Sequence, residues 1–150
     1  MKVIDAHAHI VDRAYLLELS AFMGMTSTTT DAGQTLMRKG NATVAWFKEA
    51  FFAPEDRIAV MDKQGVDMRI LSLSSPSVYD WPADRQVELS RYVNDVTAKV
   101  CQDHPTRFQG VATLPLGDTQ AALAELARSL DELGLIGVAM GSNIGGKPLN

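Results

Sequence analysis

The feature that most constrains this chain is the alternation of helix and strand from Pro54 onward, with a short internal echo, too brief to be a sequence repeat, in which a helix ends on glycine and passes into an apolar strand. Asp62-Lys63-Gln64-Gly65-Val66 and Asp131-Glu132-Leu133-Gly134-Leu135 both make that passage, and glycine is the residue that most readily ends a helix in the left-handed conformation. Neighbouring strands joined by a helix run parallel, with right-handed crossovers. The chain from Pro54 onward obeys this pattern. Pro54, followed by Glu55 and Asp56, suits the first turn of a helix, where the dipole favours acids. That helix should bury Ile58 and Met61 and stop at Gly65. Residues 66–73 read as a buried strand ending in the turn Ser74-Ser75-Pro76-Ser77. A long helix is predicted over about 83–104, with Leu89, Tyr92, Val93, Val96 and Val100 on one face, and Pro105 ends it. Residues 108–114 form the next strand. Asp118 can cap a helix burying Leu123, Leu126, Ala127, Leu130 and Leu133, and residues 136–140 form a further strand. The fold class is therefore α/β.

The N-terminal segment supplies one strand more. Over residues 3–10, Ile4, Ala6, Ala8 and Ile10 fall on one face and Asp5, His7 and His9 on the other, the period of two that marks a strand. Residues 13–53 follow no such rule. Thr26-Ser27-Thr28-Thr29-Thr30-Asp31-Ala32-Gly33 reads as a loop and Gly40-Asn41 as a turn, between apolar clusters at Leu16, Leu17, Leu19, Phe22 and Met23 and at Val44, Trp46, Phe47, Phe51 and Phe52. The expectation is an irregular excursion at 13–53 with short helical pieces, inside a single domain of residues 1–150, since 150 residues are too few for two ordinary domains. Gly145-Gly146-Lys147-Pro148-Leu149-Asn150 reads as the loop after the fourth strand. Four strands do not close a barrel, which takes eight and about 250 residues. The sequence describes a small open α/β domain or half of something larger.

Composition removes other classes. An apolar share of 46% with 21% charged residues belongs to a globular chain rather than a disordered one. A net charge of −4 with both signs interspersed lacks the basic footprint of a nucleic-acid binder and any polybasic membrane anchor. No apolar run approaches the roughly 20 residues a membrane span needs. An acid and a histidine occupy the first seven residues, where a secretory signal would be apolar, and the one cysteine, Cys101, suits a reducing compartment. A cytoplasmic location is expected, with Cys101 in the core.

His7 and His9 are the strongest chemical signal. Residues two apart on a strand leave it on the same side with Cα atoms about 6.6 Å apart, so two imidazoles can converge on one cation, as Zn–N bonds of about 2.1 Å allow. The competing reading is an edge strand whose polar face meets water. The small apolar even-numbered residues, suited to being covered by helices, favour the metal. Asp5, one step deeper on the same face, either orients a histidine or receives backbone hydrogen bonds. His104 sits at a helix end before proline, where histidines bond terminal carbonyls. Gly141-Ser142-Asn143-Ile144-Gly145-Gly146-Lys147 has the spacing of a phosphate loop, but Pro148 stands where the magnesium-binding hydroxyl belongs, so it reads as a decoy. Arg38, Lys39, Trp46 and Lys48 could meet an acidic substrate, with Trp46 as a pocket wall. A solvated surface over one packed aromatic explains them equally well.

Ile4-Asp5-Ala6-His7-Ala8-His9-Ile10 is similar to the opening of the amidohydrolase superfamily, in its aminocarboxymuconate-semialdehyde decarboxylase-like branch. Three further blocks in the same order resemble that branch. They are Pro54-Glu55-Asp56-Arg57-Ile58 with Met61-Asp62-Lys63-Gln64-Gly65-Val66 and Leu71-Ser72; Pro105-Thr106-Arg107-Phe108-Gln109-Gly110-Val111-Ala112-Thr113-Leu114-Pro115; and Glu132-Leu133-Gly134 through Gly137-Val138 to Gly141. The resemblance implies a TIM-type (β/α)8 barrel, of which this chain is the N-terminal half with about the first four β/α units. It also implies a divalent metal, zinc first, on His7 and His9. The other metal ligands, an Asp among them, and a catalytic histidine would come from later strands absent here. The implied activity is decarboxylation of a small unsaturated or aromatic carboxylic acid, with Arg38 near one of two basic substrate contacts and apolar Val44 or Ala45 at the other. Metal-dependent hydrolysis is the close alternative. A homodimer is expected of the complete protein, and a non-catalytic half-barrel that self-associates is the reading for the chain alone.

Overall fold

Gly65 and Gly134 end helices as their positions require, at φ 68° and 70°, and the alternation they punctuate governs most of the chain. The computed structural model describes residues 1–144 and 146–148. In order, the elements are β1 (Ile4–Ile10), α1 (Arg13–Phe22), β2 (Thr26–Thr29), β3 (Thr35–Lys39), β4 (Ala42–Phe47), α2 (Pro54–Gln64), β5 (Met68–Leu73), α3 (Ala83–Asp103), β6 (Phe108–Gly110), α4 (Thr119–Asp131), β7 (Asn143–Ile144) and β8 (Lys147–Pro148). Single 3-10 turns lie at Glu49–Phe51 and Val78–Asp80. The chain divides into two units, Met1–Ile10 with Val66–Asn150, and Val11–Gly65.

In the first unit β1, β5 and β6 form a parallel sheet in that order, with His9 opposite Ser72 and Leu71 opposite Gly110. The sheet continues through one parallel bridge, Ala112 to Val138. Around it the Ile136, Ala112 and Ala139 amides donate to Gly110, Gly137 and Ala112 carbonyls at 2.8–2.9 Å. The expected strand at 136–140 is thus a hydrogen-bonded edge rather than a full ladder. Gly137 contributes no side chain to pack, which weakens a strand. Ala98, Ala112, Leu114, Ala122 and Leu135 form a core cluster here, with Leu116, Leu126, Leu133 and Val138 packed against it.

Both long helices start and stop as predicted, and Leu89 and Val93 of α3 and Leu126 and Leu133 of the α4 stripe face the core as expected, but polar residues share the buried faces and part of each apolar stripe is exposed. On α3 the buried residues are Gln86, Leu89, Ser90, Val93, Asn94, Thr97 and Ala98, while Tyr92 is exposed. On α4 they are Ala122, Glu125 and Ser129, while Leu123, Ala127 and Leu130 are exposed. The reason is a polar layer between the two helices and the segment that follows β6. The Asn94 amide nitrogen donates to Thr113 O at 2.9 Å and Glu125 Oε1 at 2.8 Å, and its oxygen accepts from Thr113 N at 2.8 Å. Arg128 donates to both Glu125 oxygens at 2.7 and 2.8 Å. Buried polar groups that satisfy one another can occupy a helix face that a hydropathy pattern would assign to leucine.

The second unit corrects the expectation of an irregular excursion. Residues 13–53 contain one ten-residue helix and a three-stranded antiparallel sheet, β2-β3-β4. The threonine run expected to be a loop supplies β2, whose Thr26 to Thr29 pair with Arg38 to Thr35. Threonine is a good strand former, and polarity alone misled the reading. Gly40-Asn41 does turn β3 into β4. Asp12 caps α1 by accepting from the Ala14 and Tyr15 amides at 2.8 and 3.1 Å. In α2, Met61 is buried as expected, Ile58 only half-buried, and Arg57 is buried beside them.

Candidate metal centre

β1 carries the two histidines on an irregular strand. Its register advances three residues, Asp5 to Ala8, against two on β5, Arg69 to Leu71, the extra residue of a β-bulge. The sequence-level alternation therefore holds only from Ala8 onward: Ala8 and Ile10 are buried, whereas Ile4 and Ala6 are exposed. β1 is also an edge of its sheet among the described residues. The two rings nevertheless come together, with centroids 4.7 Å apart and planes at 79°. His7 is exposed and His9 half-buried.

The surroundings hold this arrangement from below and beside. Asp5 Oδ1 accepts from the His7 amide at 3.2 Å, and Oδ2 pairs with Arg69 Nε at 3.0 Å. Of the two roles open to Asp5, the carboxylate takes the one that receives a backbone hydrogen bond. On β5, the Ser72 hydroxyl lies 3.2 Å from His9 Nδ1. The sequence assigned no role to either residue: Ser72 appeared only within a block of family resemblance, and Arg69 not at all. Their importance comes from the parallel register, which sets Arg69 beside Asp5 and Ser72 beside His9.

This donor set fits a divalent cation in part. Two neutral imidazoles in edge-to-face contact are suitable ligands, and engagement of His9 Nδ1 by Ser72 makes Nε2 the nitrogen by which that ring would bind. Among the described residues no group of three His, Cys, Asp or Glu side chains gathers to hold a metal. A catalytic zinc typically has three protein ligands.

Arg38 and Trp46 belong to the other unit. They lie on the open face of β3 and β4, where Leu36 stands opposite Trp46, and the opposite face buries Thr35, Met37 and Phe47. Arg38 is exposed and Trp46 is 54% exposed, with Lys48 Nζ 5.9 Å above its ring. Arg57, given no role of its own by the sequence, donates to the Ala50 and Phe51 carbonyls at 3.2 and 3.3 Å and so anchors the 3-10 turn before α2.

The remaining candidates resolve as structural groups. His104 ends α3 with its ring edge-on to Phe108, centroids 6.0 Å apart. Burial pushes the Cys101 thiol up to about 11, and its sulfur packs near Gly110, but the side chain is half-buried rather than in the core as expected. Within the phosphate-loop decoy, Asn143 and Ile144 of β7 pair antiparallel with Pro148 and Lys147 of β8. Gly145, Leu149 and Asn150, part of that loop and of the expected final loop, lie outside the described residues.

A family model described as amidohydrolase matches residues 4–150. The chain is 32% identical to a 2-amino-3-carboxymuconate-6-semialdehyde decarboxylase of Dictyostelium discoideum, over 98% of this chain and 42% of that protein. It is 43% identical to a gamma-resorcylate decarboxylase of Rhodococcus jostii, over 54% of this chain and 25% of that protein. Among solved structures, a dihydroxybenzoic acid decarboxylase from Polaromonas sp. JS666, with bound manganese and the inhibitor 2-nitroresorcinol, superposes with a TM-score of 0.68 at 27% identity, covering 92% of this chain and 38% of that one. A 5-carboxyvanillate decarboxylase from Sphingomonas paucimobilis shares the fold, with a TM-score of 0.77 at 24% identity over 96% of this chain and 44% of that one. The chain spans less than half the length of each of these proteins.

Proposed function

We propose, starting from the fact that this chain belongs to the amidohydrolase family, that it forms the first four β/α units of a TIM-type barrel. The complete protein is then a metal-dependent decarboxylase of a small aromatic or unsaturated carboxylic acid. One observation carries this reading: His7 and His9, two residues apart on the first parallel strand, bring their rings to 4.7 Å. The decarboxylase names of the similar proteins, and the manganese in the Polaromonas enzyme, support the class of reaction and the need for a divalent cation.

In this reading His7 and His9 hold the cation, and its remaining ligands lie on strands beyond residue 150. When bound, the cation supplies positive charge that fixes the substrate's oxygens or lowers the pKa of a water. The chain's own residues orient the rings: Ser72 at His9 Nδ1, and Asp5 at the His7 amide, itself held by Arg69. Arg38 and Trp46, carried by the other unit, are proposed as substrate contacts from residue type alone: a guanidinium suits a carboxylate and an indole suits an aromatic ring. Imidazole ligands make zinc the first choice of metal and manganese its competitor. Metal analysis of protein purified without added metal separates the two.

The test is catalysis by a chain extended through the missing strands. Release of carbon dioxide from hydroxybenzoates should fall at least about 100-fold in His7→Ala and in His9→Ala, since loss of a metal ligand removes both affinity and charge stabilisation. Turnover that survives the double substitution would defeat the assignment. Hydrolysis of esters or amides in place of decarboxylation would transfer the site to hydrolytic chemistry.

A second reading concerns the 150 residues alone. Leu123, Leu130, Ile136 and Met140, all in the first unit, are 56, 41, 50 and 52% exposed, and such apolar exposure promotes self-association. As a separate polypeptide the chain self-associates without turning over substrate, and sedimentation at rising concentration reads that directly.

A further inference from the structure

We infer that Ser72 is a positioning residue for His9, holding the ring in the Nδ1–H tautomer so that Nε2 is the nitrogen presented for coordination. This rests on the metal reading above for its purpose, though not for its geometry. His9 and Ser72 are register partners on adjacent parallel strands. Their side chains therefore leave the sheet on the same side from backbones about 4.8 Å apart, and His9 Nδ1 lies 3.2 Å from Ser72 Oγ.

The direction of that hydrogen bond follows from counting protons. A serine hydroxyl has one proton to donate and two lone pairs to accept with. The same Oγ lies 3.5 Å from the Ala8 carbonyl oxygen, in position to donate to it. A carbonyl can only accept, so a hydroxyl proton committed to Ala8 leaves Oγ as an acceptor toward His9. With the hydroxyl proton turned toward Ala8, across a long contact of 3.5 Å, the inferred arrangement has the hydrogen on Nδ1. A neutral imidazole protonated at Nδ1 has its lone pair on Nε2, the form that binds metals through that atom. The hydroxyl thus links the ring to the backbone of the same strand and fixes both its tautomer and its orientation. His7, whose backbone amide is held by Asp5, has a different anchor, so the two rings are oriented by separate devices. Strand β5 contributes no cation ligand in this arrangement. Its contribution is the orientation of one.

The test is nitrogen-15 NMR of the histidine side chains in the 150-residue chain, with zinc titrations followed by calorimetry on the same samples. In the wild-type chain His9 Nδ1 should give the signal of a protonated nitrogen and Nε2 that of a bare one. In Ser72→Ala the His9 signals should move toward the Nε2–H tautomer, and zinc affinity should fall about 10- to 100-fold, the usual effect of removing a group that orients a ligand. Ser72→Thr, which keeps the hydroxyl, should restore both. A purely structural role for Ser72 would leave the tautomer unmoved. His9 found as Nε2–H in the wild-type chain, or unchanged by Ser72→Ala in a variant with the wild-type backbone spectrum, overturns the inference. If His9 has the expected tautomer and loses it in Ser72→Ala, yet zinc leaves both Nε2 signals unmoved, the metal reading fails. The purpose assigned to Ser72 fails with it, and the hydrogen bond alone stands.

Discussion

Asn94 is the residue whose replacement should cost this chain most for the fewest atoms removed. Its amide substitutes for a neighbouring strand, donating to Thr113 O and accepting from Thr113 N at 2.9 and 2.8 Å, and it also donates to Glu125 at 2.8 Å. Asn94 is fully buried and Glu125 is 2% exposed. Two neutral hydrogen bonds at about 1 kcal/mol each and one to a charged group at about 2 kcal/mol bring the loss in Asn94→Ala to roughly 4 kcal/mol. That is a large part of the 5–15 kcal/mol typical of a folded domain. Asn94→Asp separates hydrogen bonding from packing. It is nearly isosteric and keeps the acceptor for Thr113 N, but places a second carboxylate against Glu125 and removes the donor to Thr113 O. It should destabilise at least as much as alanine near pH 7. Urea titrations followed by circular dichroism measure both. A loss below about 1 kcal/mol for either variant would refute the account of the polar layer.

Three further expectations follow from individual groups. Burial opposes the charge of Glu125, yet hydrogen bonds from Arg128 and Asn94, with the charges of Arg128 and Arg91, hold its carboxyl below the ordinary value of 4.5. A depressed folded pKa gives stability that is present above pH 4.5 and lost as pH falls through the folded value; Glu125→Gln should therefore flatten the acid limb of a stability–pH curve while lowering the plateau. A Cβ added at Gly110 would stand 2.6 Å from Thr97 Cγ2, 3.0 Å from Leu135 Cδ2 and 3.2 Å from Cys101 Sγ. Gly110→Ala should accordingly cost about 1–3 kcal/mol by overpacking, read as a lower urea midpoint with unchanged slope. The Cys101 thiol, pushed up to about 11 by burial, should react with a maleimide slowly at pH 8 in the folded chain and at the rate of a free thiol in urea.

The legible parts of the fold were those where one residue type settles the local conformation. Gly65 and Gly134 end helices, Pro54 and Asp118 start them, and the helix-to-strand order follows. The illegible parts depended on partners distant in sequence. Residues 26–30, four threonines and a serine, look like a loop until β3 pairs with most of them, and leucines 123 and 130 look like core until Asn94 meets Glu125. The candidate site divides the same way. His7 and His9 were readable because two residues on one strand determine each other's side. Ser72 lies 63 residues from His9, and only the register of two parallel strands brings it there.

The central claim is that His7 and His9 share one cation, and paramagnetic broadening by manganese(II) addresses it most directly. Sub-stoichiometric manganese added to the chain should broaden the ring signals of His7 and His9 together, ahead of His104, and either single alanine substitution should abolish the effect on the partner ring. Broadening that begins at His104 or at surface carboxylates, or that affects one of the two rings without the other, would contradict the claim.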